Sequence, residues 1–184
     1  NVQVGGNIGI SVMELEPLGS DGVYVLELSS YQLDLSQNVR INIAVFLNIT
    51  PDHLDRHLTF ENYLNAKLRI FANQTSDDTA IISHDYPETK LIHTTLGNTV
   101  SFSTIDKEAE ICTQDRMLTD RVTGFTASLG NLEFLPGVHN LENIAAAYAA
   151  TTACGLDPKD VVSAIKTFKG LKHRIQTVYQ LDNL

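Results

Sequence analysis

Two nearly continuous apolar runs, Val23–Leu28 (V-Y-V-L-E-L) and Ile43–Leu47, most constrain how this chain folds. A strand without polar alternation needs cover on both faces, which parallel sheets flanked by helices provide. Each run gives way to a polar loop and then to a helix-like segment. Two more strands are expected at Thr79–Ile82 and Val100–Phe102. An Ala-rich helix, Leu141–Cys154, is closed by Gly155. Asp157 and Pro158 then supply a cap and a first helical position for a helix ending by Phe168. A last strand is expected at Ile175–Tyr179. Between residues 106 and 135, Thr, Asp and Gly are frequent and the apolar runs short, which predicts a small, exposed hairpin sheet without chemistry. The expected class is α/β: a mostly parallel sheet flanked by helices, with a small antiparallel β insertion. At 184 residues the chain suits one domain.

Charge narrows the partners. A net charge of −9 argues against a nucleic-acid surface, which needs a basic stripe. Anionic small ligands stay open, because helix N-termini and metal ions bind them locally. Two cysteines, Cys112 and Cys154, form no C-x-x-C or disulfide framework, so a reducing, cytoplasmic setting is the default. No segment is apolar and long enough to span a membrane. The chain starts at Asn1 without a methionine and ends at Leu184 after a strand-like run; it is expected to be part of something longer.

The chemistry-bearing residues follow the strands. Gly5–Gly9 (G-G-N-I-G) is a strand-to-helix turn or a close approach to a ligand, and Ile10–Leu15 reads as a short helix. Glu27 interrupts the first apolar run near its carboxyl end, where ligands collect in open α/β sheets. It is either a metal ligand or base, or a partly exposed strand-end carboxylate. Ser29 and Ser30 are both able to N-cap the following helix, and Gln32 lies in its first turn. The second run delivers Asn48–Thr50 to the same expected sheet edge. Pro51 stiffens a loop carrying Asp52, His53, Asp55, Arg56 and His57, whose histidines are loop polar groups or ligands. Thr59 caps the next helix, on which Phe60, Leu64, Lys67 and Phe71 share one face. An unpaired ammonium is costly to bury, so Lys67 snorkels, pairs or is chemically changed. His139, Asn140 and Asn143 cluster at the start of the Ala-rich helix, where capping also accounts for Asn140. Arg174 sits before the last strand, either solvated or reaching a phosphate or ribose.

In this order, G-G-N-I-G, L-E-L-S-S-Y-Q-L, N-I-T-P-D-H-L-D-R-H, A-K-L-R-I-F, H-N-L-E-N and G-L-K-H-R resemble the central domain of the Mur ligases over essentially the whole chain. The second and third pieces resemble the D-glutamate-adding branch rather than the lysine- or diaminopimelate-adding branches or folylpolyglutamate synthetase. The resemblance implies an ATP-dependent amide ligase of peptidoglycan synthesis, joining D-glutamate to UDP-N-acetylmuramoyl-L-alanine through an acyl phosphate. It implies Mg2+ held by Glu27 at the ATP phosphates and a second Mg2+ held by His53 and a carbamylated Lys67. It further implies that Asn7, Ser29 and Gln32 contact the UDP-sugar substrate, that Asn140 and Asn143 lie near adenine, and that Arg174 lies near the ribose and phosphates.

Such a ligase also needs a phosphate-cradling G-x-x-G-K-[ST] loop and its helix, which nothing in residues 1–184 supplies. The chain is therefore expected to lack the first strand, phosphate loop and first helix of the domain, together with the flanking UDP-binding and carboxy-terminal domains, and to be inactive alone. Two other readings stand beside the ligase. One is a metal-dependent hydrolase built on His53, Asp55, His57 and a carbamylated Lys67; the other is a non-catalytic remnant serving as a binding scaffold.

Overall fold

The computed structural model describes residues 1–92 and 97–171. Arg174 and the strand expected at Ile175–Tyr179 lie outside the described residues. The chain divides into two compact units, Asn1–Arg40 with Thr50–Asn73, and Ile41–Ile49 with the chain from Gln74 onward.

The first unit holds a parallel pair, β1 (Val2–Gly6) and β2 (Val23–Glu27), in register from Val2 with Val23 to Gly6 with Glu27. A one-turn 3₁₀ helix at Val12–Glu14 stands where the short helix was expected. Three helices complete the unit: α1 (Ser30–Leu35), α2 (Leu54–His57) and α3 (Phe60–Leu68). Arg69 fastens α1 by donating to the carbonyls of Leu33 (2.9 Å) and Ser36 (2.7 Å). The apolar run of β2 is not covered on both faces as its composition predicts. Among the described residues β1 is the one strand paired with it, and Tyr24 and Val25 are 43% and 52% exposed.

The second unit is a six-stranded sheet in the order β3-β4-β5-β6-β7-β8: β3 (Ile43–Phe46), β4 (Thr79–Ser83), β5 (Asn98–Ser103), β6 (Ile111–Gln114), β7 (Met117–Asp120) and β8 (Phe125–Ser128). Strands β3 to β6 are parallel, and β7 and β8 are antiparallel. This is the mostly parallel α/β sheet expected, with two corrections. First, among the described residues β2 and β3 are strands of two separate sheets, not consecutive strands of one. Second, the hairpins are not an exposed appendage. They extend the main sheet, and Ile111, Leu118 and Leu129 enter the core because their inward positions meet a helix rather than water.

That helix is α5 (Val138–Ala153), which follows the short α4 (Pro87–Lys90) and precedes α6 (Pro158–Thr167). Its buried side carries Ile144, Ala145, Ala146, Tyr148 and Ala149, against Ile81, Phe102 and Ile111 in the core cluster. Small alanines let helix and sheet approach closely, and burial of this face is the main stabilising term for the unit. Asp157 caps α6 by accepting from the Lys159 amide (2.8 Å), and Gly155 ends α5 at φ 87°, as expected. Among the described residues no helix is long and apolar enough to cross a membrane.

One buried polar knot ties α5 to the hairpins. Tyr148, fully buried, donates its hydroxyl to Asp120 Oδ2 (2.8 Å), and Asp120 also accepts from the amides of Val122 and Thr123 and the Thr123 hydroxyl. Tyr148→Phe leaves Asp120 with three donors and is expected to cost about 1 kcal/mol. Asp120→Ala orphans all of those donors and is expected to cost about 3 kcal/mol or more. Urea unfolding measures both, and equal losses would refute this account.

Candidate functional site

The first unit gathers most of the residues singled out. Its two parallel strands end on the pair Gly6 and Glu27, and the turn after β1 brings Asn7 back over Glu27. The Asn7 amide N–H donates to the Glu27 carbonyl (2.7 Å), and Asn7 Nδ2 donates to Glu27 Oε1 (3.1 Å). Gly6 makes this return possible. At φ 112° it occupies backbone space open to glycine, and a Cβ there would stand 2.2 Å from the Glu27 carbonyl oxygen.

Ser29 and Gln32 form a reciprocal capping box on α1. The Gln32 amide donates to Ser29 Oγ (3.3 Å), while Gln32 Oε1 accepts from the Ser29 amide (2.9 Å) and hydroxyl (3.0 Å). Of the two candidate caps, Ser29 serves, and Ser30 does something else. It turns inward to meet His57 Nε2 (3.0 Å). His57 is only 5% exposed and is stacked on Tyr31, with ring centroids 5.6 Å apart. With Nε2 engaged by Ser30 and the ring packed between Tyr31 and Tyr63, His57 serves as a packing group here. Among the described residues no group of three or more His, Cys, Asp and Glu side chains stands ready to hold a metal ion.

His53 caps α2 in the left-handed region, φ 53° and ψ 32°, a conformation uncommon outside glycine and found at functional loops. Three hydrogen bonds hold it. Its amide donates to Asp52 Oδ1 (2.7 Å), and its carbonyl accepts from the amides of Arg56 (3.1 Å) and His57 (3.0 Å). Its imidazole is half exposed, with Nε2 3.6 Å from Asp52 Oδ2 and the ring 5.1 Å from Tyr31.

Thr59 caps α3 by accepting from the Asn62 amide (3.1 Å), as expected. The inward face of α3 is turned from the stripe read in the sequence. Phe60, Leu64, Lys67 and Phe71 are all half-buried, and the buried positions are Tyr63 and Ala66. Tyr63 faces the His57 ring at 5.5 Å and carries Lys67 Nζ 5.6 Å from its own ring centroid. Burial lowers the Lys67 pKa below its ordinary 10.5, and the carboxylates of Glu27 and Asp52 oppose that shift. Glu27, Asp52 and Lys67 thus share one electrostatic neighbourhood. Asp52 and Tyr63 were not picked out as site residues. Tyr63 lies four residues before Lys67, the spacing that puts both on one face.

In the second unit, Asn140 and Asn143 line a cleft of about 750 Å³ with Phe134, Leu135, His139 and Phe168, and Ala147 continues their face one turn on. The helix starts three residues earlier than expected, with Gly137 at the N-cap and φ 92°. Asn140 is therefore inside the helix rather than capping it, and donates from Nδ2 to the Pro136 carbonyl (2.7 Å). Arg174 lies outside the described residues.

The lowered Lys67 pKa has a thermodynamic consequence. Between the folded value and 10.5, the unfolded chain holds a proton that the folded chain has released, so stability rises as pH rises through that window. Replacing the ammonium by an apolar group, Lys67→Met, is expected to remove this rise and to stabilise the protein at neutral pH. Urea midpoints compared at neutral pH and near pH 10 check it; an unchanged pH slope in the variant would count against the assignment.

The sequence family described as the Mur ligase middle domain matches residues 9–151. The UDP-N-acetylmuramoylalanine--D-glutamate ligase of Phenylobacterium zucineum (strain HLK1) is 41% identical over 194 residues, covering 100% of this chain and 41% of the relative. That of Caulobacter sp. (strain K31) is 44% identical over 194 residues, with the same coverage. The chain spans about two fifths of the length of these curated relatives. Among solved structures, a UDP-N-acetylmuramoyl-L-alanyl-D-glutamate--2,6-diaminopimelate ligase superposes with a TM-score of 0.71 at 26% identity, over 86% of this chain and 35% of that one. MurF ligase from Thermotoga maritima in complex with ADP gives 0.66 at 19% identity, over 88% and 42%, and so shares the fold. On the match to residues 9–151 and the similarity of the whole of this chain to part of the D-glutamate ligases, this chain belongs to the Mur ligase family.

Proposed function

We propose that the chain is the central part of an ADP-forming amide ligase that adds D-glutamate to UDP-N-acetylmuramoyl-L-alanine in peptidoglycan synthesis. The observation that carries this reading is its similarity, along its whole length, to relatives bearing that name. In the reaction the γ-phosphoryl group of ATP passes to the substrate carboxylate, giving an acyl phosphate and ADP. The D-glutamate amine then attacks the acyl carbon and inorganic phosphate leaves. The activity supports cell-wall growth, and hence shape and division. It belongs in the cytoplasm, a setting consistent with the free thiols Cys112 and Cys154.

Each residue then has a task. The cleft beside α5 suits adenine, with Phe134 and Phe168 offering aromatic walls and Asn140 and Asn143 offering amides to a base edge. Arg174 is assigned to the ribose and phosphates. Asn7, Ser29 and Gln32 are assigned to the UDP-sugar substrate. Because Gln32 Oε1 is engaged in the capping box, Nε2 is the group it has left to offer.

The donor set fits magnesium on one condition. Glu27 supplies hard oxygens and His53 an imidazole, but an ammonium at Lys67 would repel a divalent cation. Carbamylation replaces that charge with a carboxylate, and it needs the neutral amine that burial of Lys67 favours. Glu27 would then hold one magnesium at the ATP phosphates, and His53 with carbamylated Lys67 a second; such ions when bound offset the repulsion between triphosphate and carboxylate. The remaining work of these residues is to orient the carboxylate and the triphosphate for in-line transfer.

Exchanging this chain for the matching segment of the Phenylobacterium zucineum ligase tests the reading. The hybrid is expected to release ADP in a D-glutamate-dependent manner, and Lys67→Ala in it to lower the rate about 100-fold or more. Activity indifferent to D-glutamate, or to Lys67, would overturn it. A carbamate is also expected at Lys67 when the protein is equilibrated with 13C-bicarbonate and magnesium. The carbonyl signal should be lost in Lys67→Arg, and a spectrum without it in the wild type would exclude the modification.

A further inference from the structure

Glu142 is a carboxylate where the helix pattern calls for an apolar residue. Counting three, four and seven residues on reaches Ala145, Ala146 and Ala149, all buried on the sheet side of α5. Glu142 itself is only 7% exposed. Its two oxygens accept from two hydroxyls: Ser83 Oγ, at the end of β4, to Oε1 (3.2 Å), and Tyr86 Oη, at the N-cap of α4, to Oε2 (3.1 Å). Burial raises its pKa against the effect of these hydroxyls, and the nearby Asp85 carboxylate adds to the rise. A buried carboxylate satisfied by neutral hydroxyls is an expensive way to fill a space that alanine fills elsewhere on the same face.

The gain lies in direction. The alanine stripe below Glu142 is smooth and apolar contact is non-directional, so at the first turns of α5, about two turns from the Tyr148–Asp120 bond, the stripe alone sets the helix's rotation loosely. Asn140 and Asn143 lie on either side of Glu142 in the same helix and line the cleft, so any such rotation moves them together. Two hydrogen bonds, to Ser83 at the end of β4 and to Tyr86 just after it, fix that end of the helix. Thr113 of β6 helps from the other side by donating to the Leu141 carbonyl (2.8 Å).

We infer that Glu142 is a positioning residue for nucleobase recognition: through Ser83 and Tyr86 it sets the rotation of α5 that aims Asn140 and Asn143 at the base. This rests on the adenine reading of the cleft. None of Ser83, Tyr86 and Glu142 lines the cleft, so none of them touches a bound base.

The test uses the chain as it stands and adenosine as the probe, since the cleft is assigned to the base. Side-chain amide signals of Asn140 and Asn143 are followed by 15N NMR during titration. The temperature is one at which circular dichroism shows every variant folded, so that a purely structural role leaves affinity untouched. Tyr86→Phe removes a single hydroxyl and is expected to weaken adenosine binding by roughly tenfold, the worth of one hydrogen bond to a charged group. Glu142→Gln, which keeps one acceptor, is expected to lose no more than that. In the Glu142→Gln background the further effect of Tyr86→Phe should shrink, because both act through one contact. If Glu142→Gln does not fold, Tyr86→Phe with Ser83→Ala carries the comparison.

A wild type that shows no adenosine shifts overturns the adenine reading, and this inference with it. A wild type that binds, beside folded variants that bind equally well, overturns the inference alone. Fully additive losses in the double variant do the same.

Discussion

Burial of one face of α5 against the parallel strands is the constraint on which the second unit depends. Five residues of that helix, Ile144 to Ala146 with Tyr148 and Ala149, close the core over Ile81, Phe102 and Ile111. The alanines set the spacing and Tyr148 supplies the volume, with its hydroxyl spent on Asp120 rather than left bare. The opposite face of the same helix is then free to carry Asn140, Asn143 and Ala147 along the cleft. One helix thus serves as core on one side and recognition surface on the other, and the precision of the second task is inherited from the first.

The first unit is built differently. Its order comes from caps and side-chain bonds to backbone more than from a large core. The Ser29–Gln32 box, the Ser30–His57 contact, the Arg69 bonds to α1 and the return of Asn7 onto Glu27 each fix a short segment. These are directional interactions among loops, which is where groups that handle substrates are usually held. Lys67 sits within this frame, half-buried over Tyr63, with its charge disfavoured by burial and favoured by two carboxylates.

Much of this was legible from the residues. Gly155, Asp157 with Pro158, Thr59 and Ser29 announced helix ends by local chemistry that needs no tertiary context, and the structure keeps each of them. Glu27 was readable at the end of its strand for the same reason. What was not legible depends on long-range partners. The run V-Y-V-L-E-L says that a strand wants cover but not which strand lies beside it, and the described partner of β2 is β1 rather than β3. The hairpins looked peripheral because short strands rich in Thr and Asp hide the positions, such as Thr113 and Asp120, whose polar groups are satisfied only in the folded core. Helical spacing alone placed Lys67 on a face but could not say that Tyr63 and Ala66 form its buried centre. Glu142 passed unnoticed because a glutamate early in a helix reads as ordinary surface.

The left-handed backbone at His53 narrows what can be learned by replacing it. At φ 53° the side chains that sit without much cost are glycine, asparagine, aspartate and histidine, so the position is filtered by conformation before any chemistry is asked of it. An alanine scan would merge two deficits there, a lost imidazole and a strained turn, and would overstate the first. Asparagine keeps the turn and removes the ring. A library at this position should therefore be scored against asparagine as its baseline, and apparent intolerance to β-branched residues should be charged to the backbone.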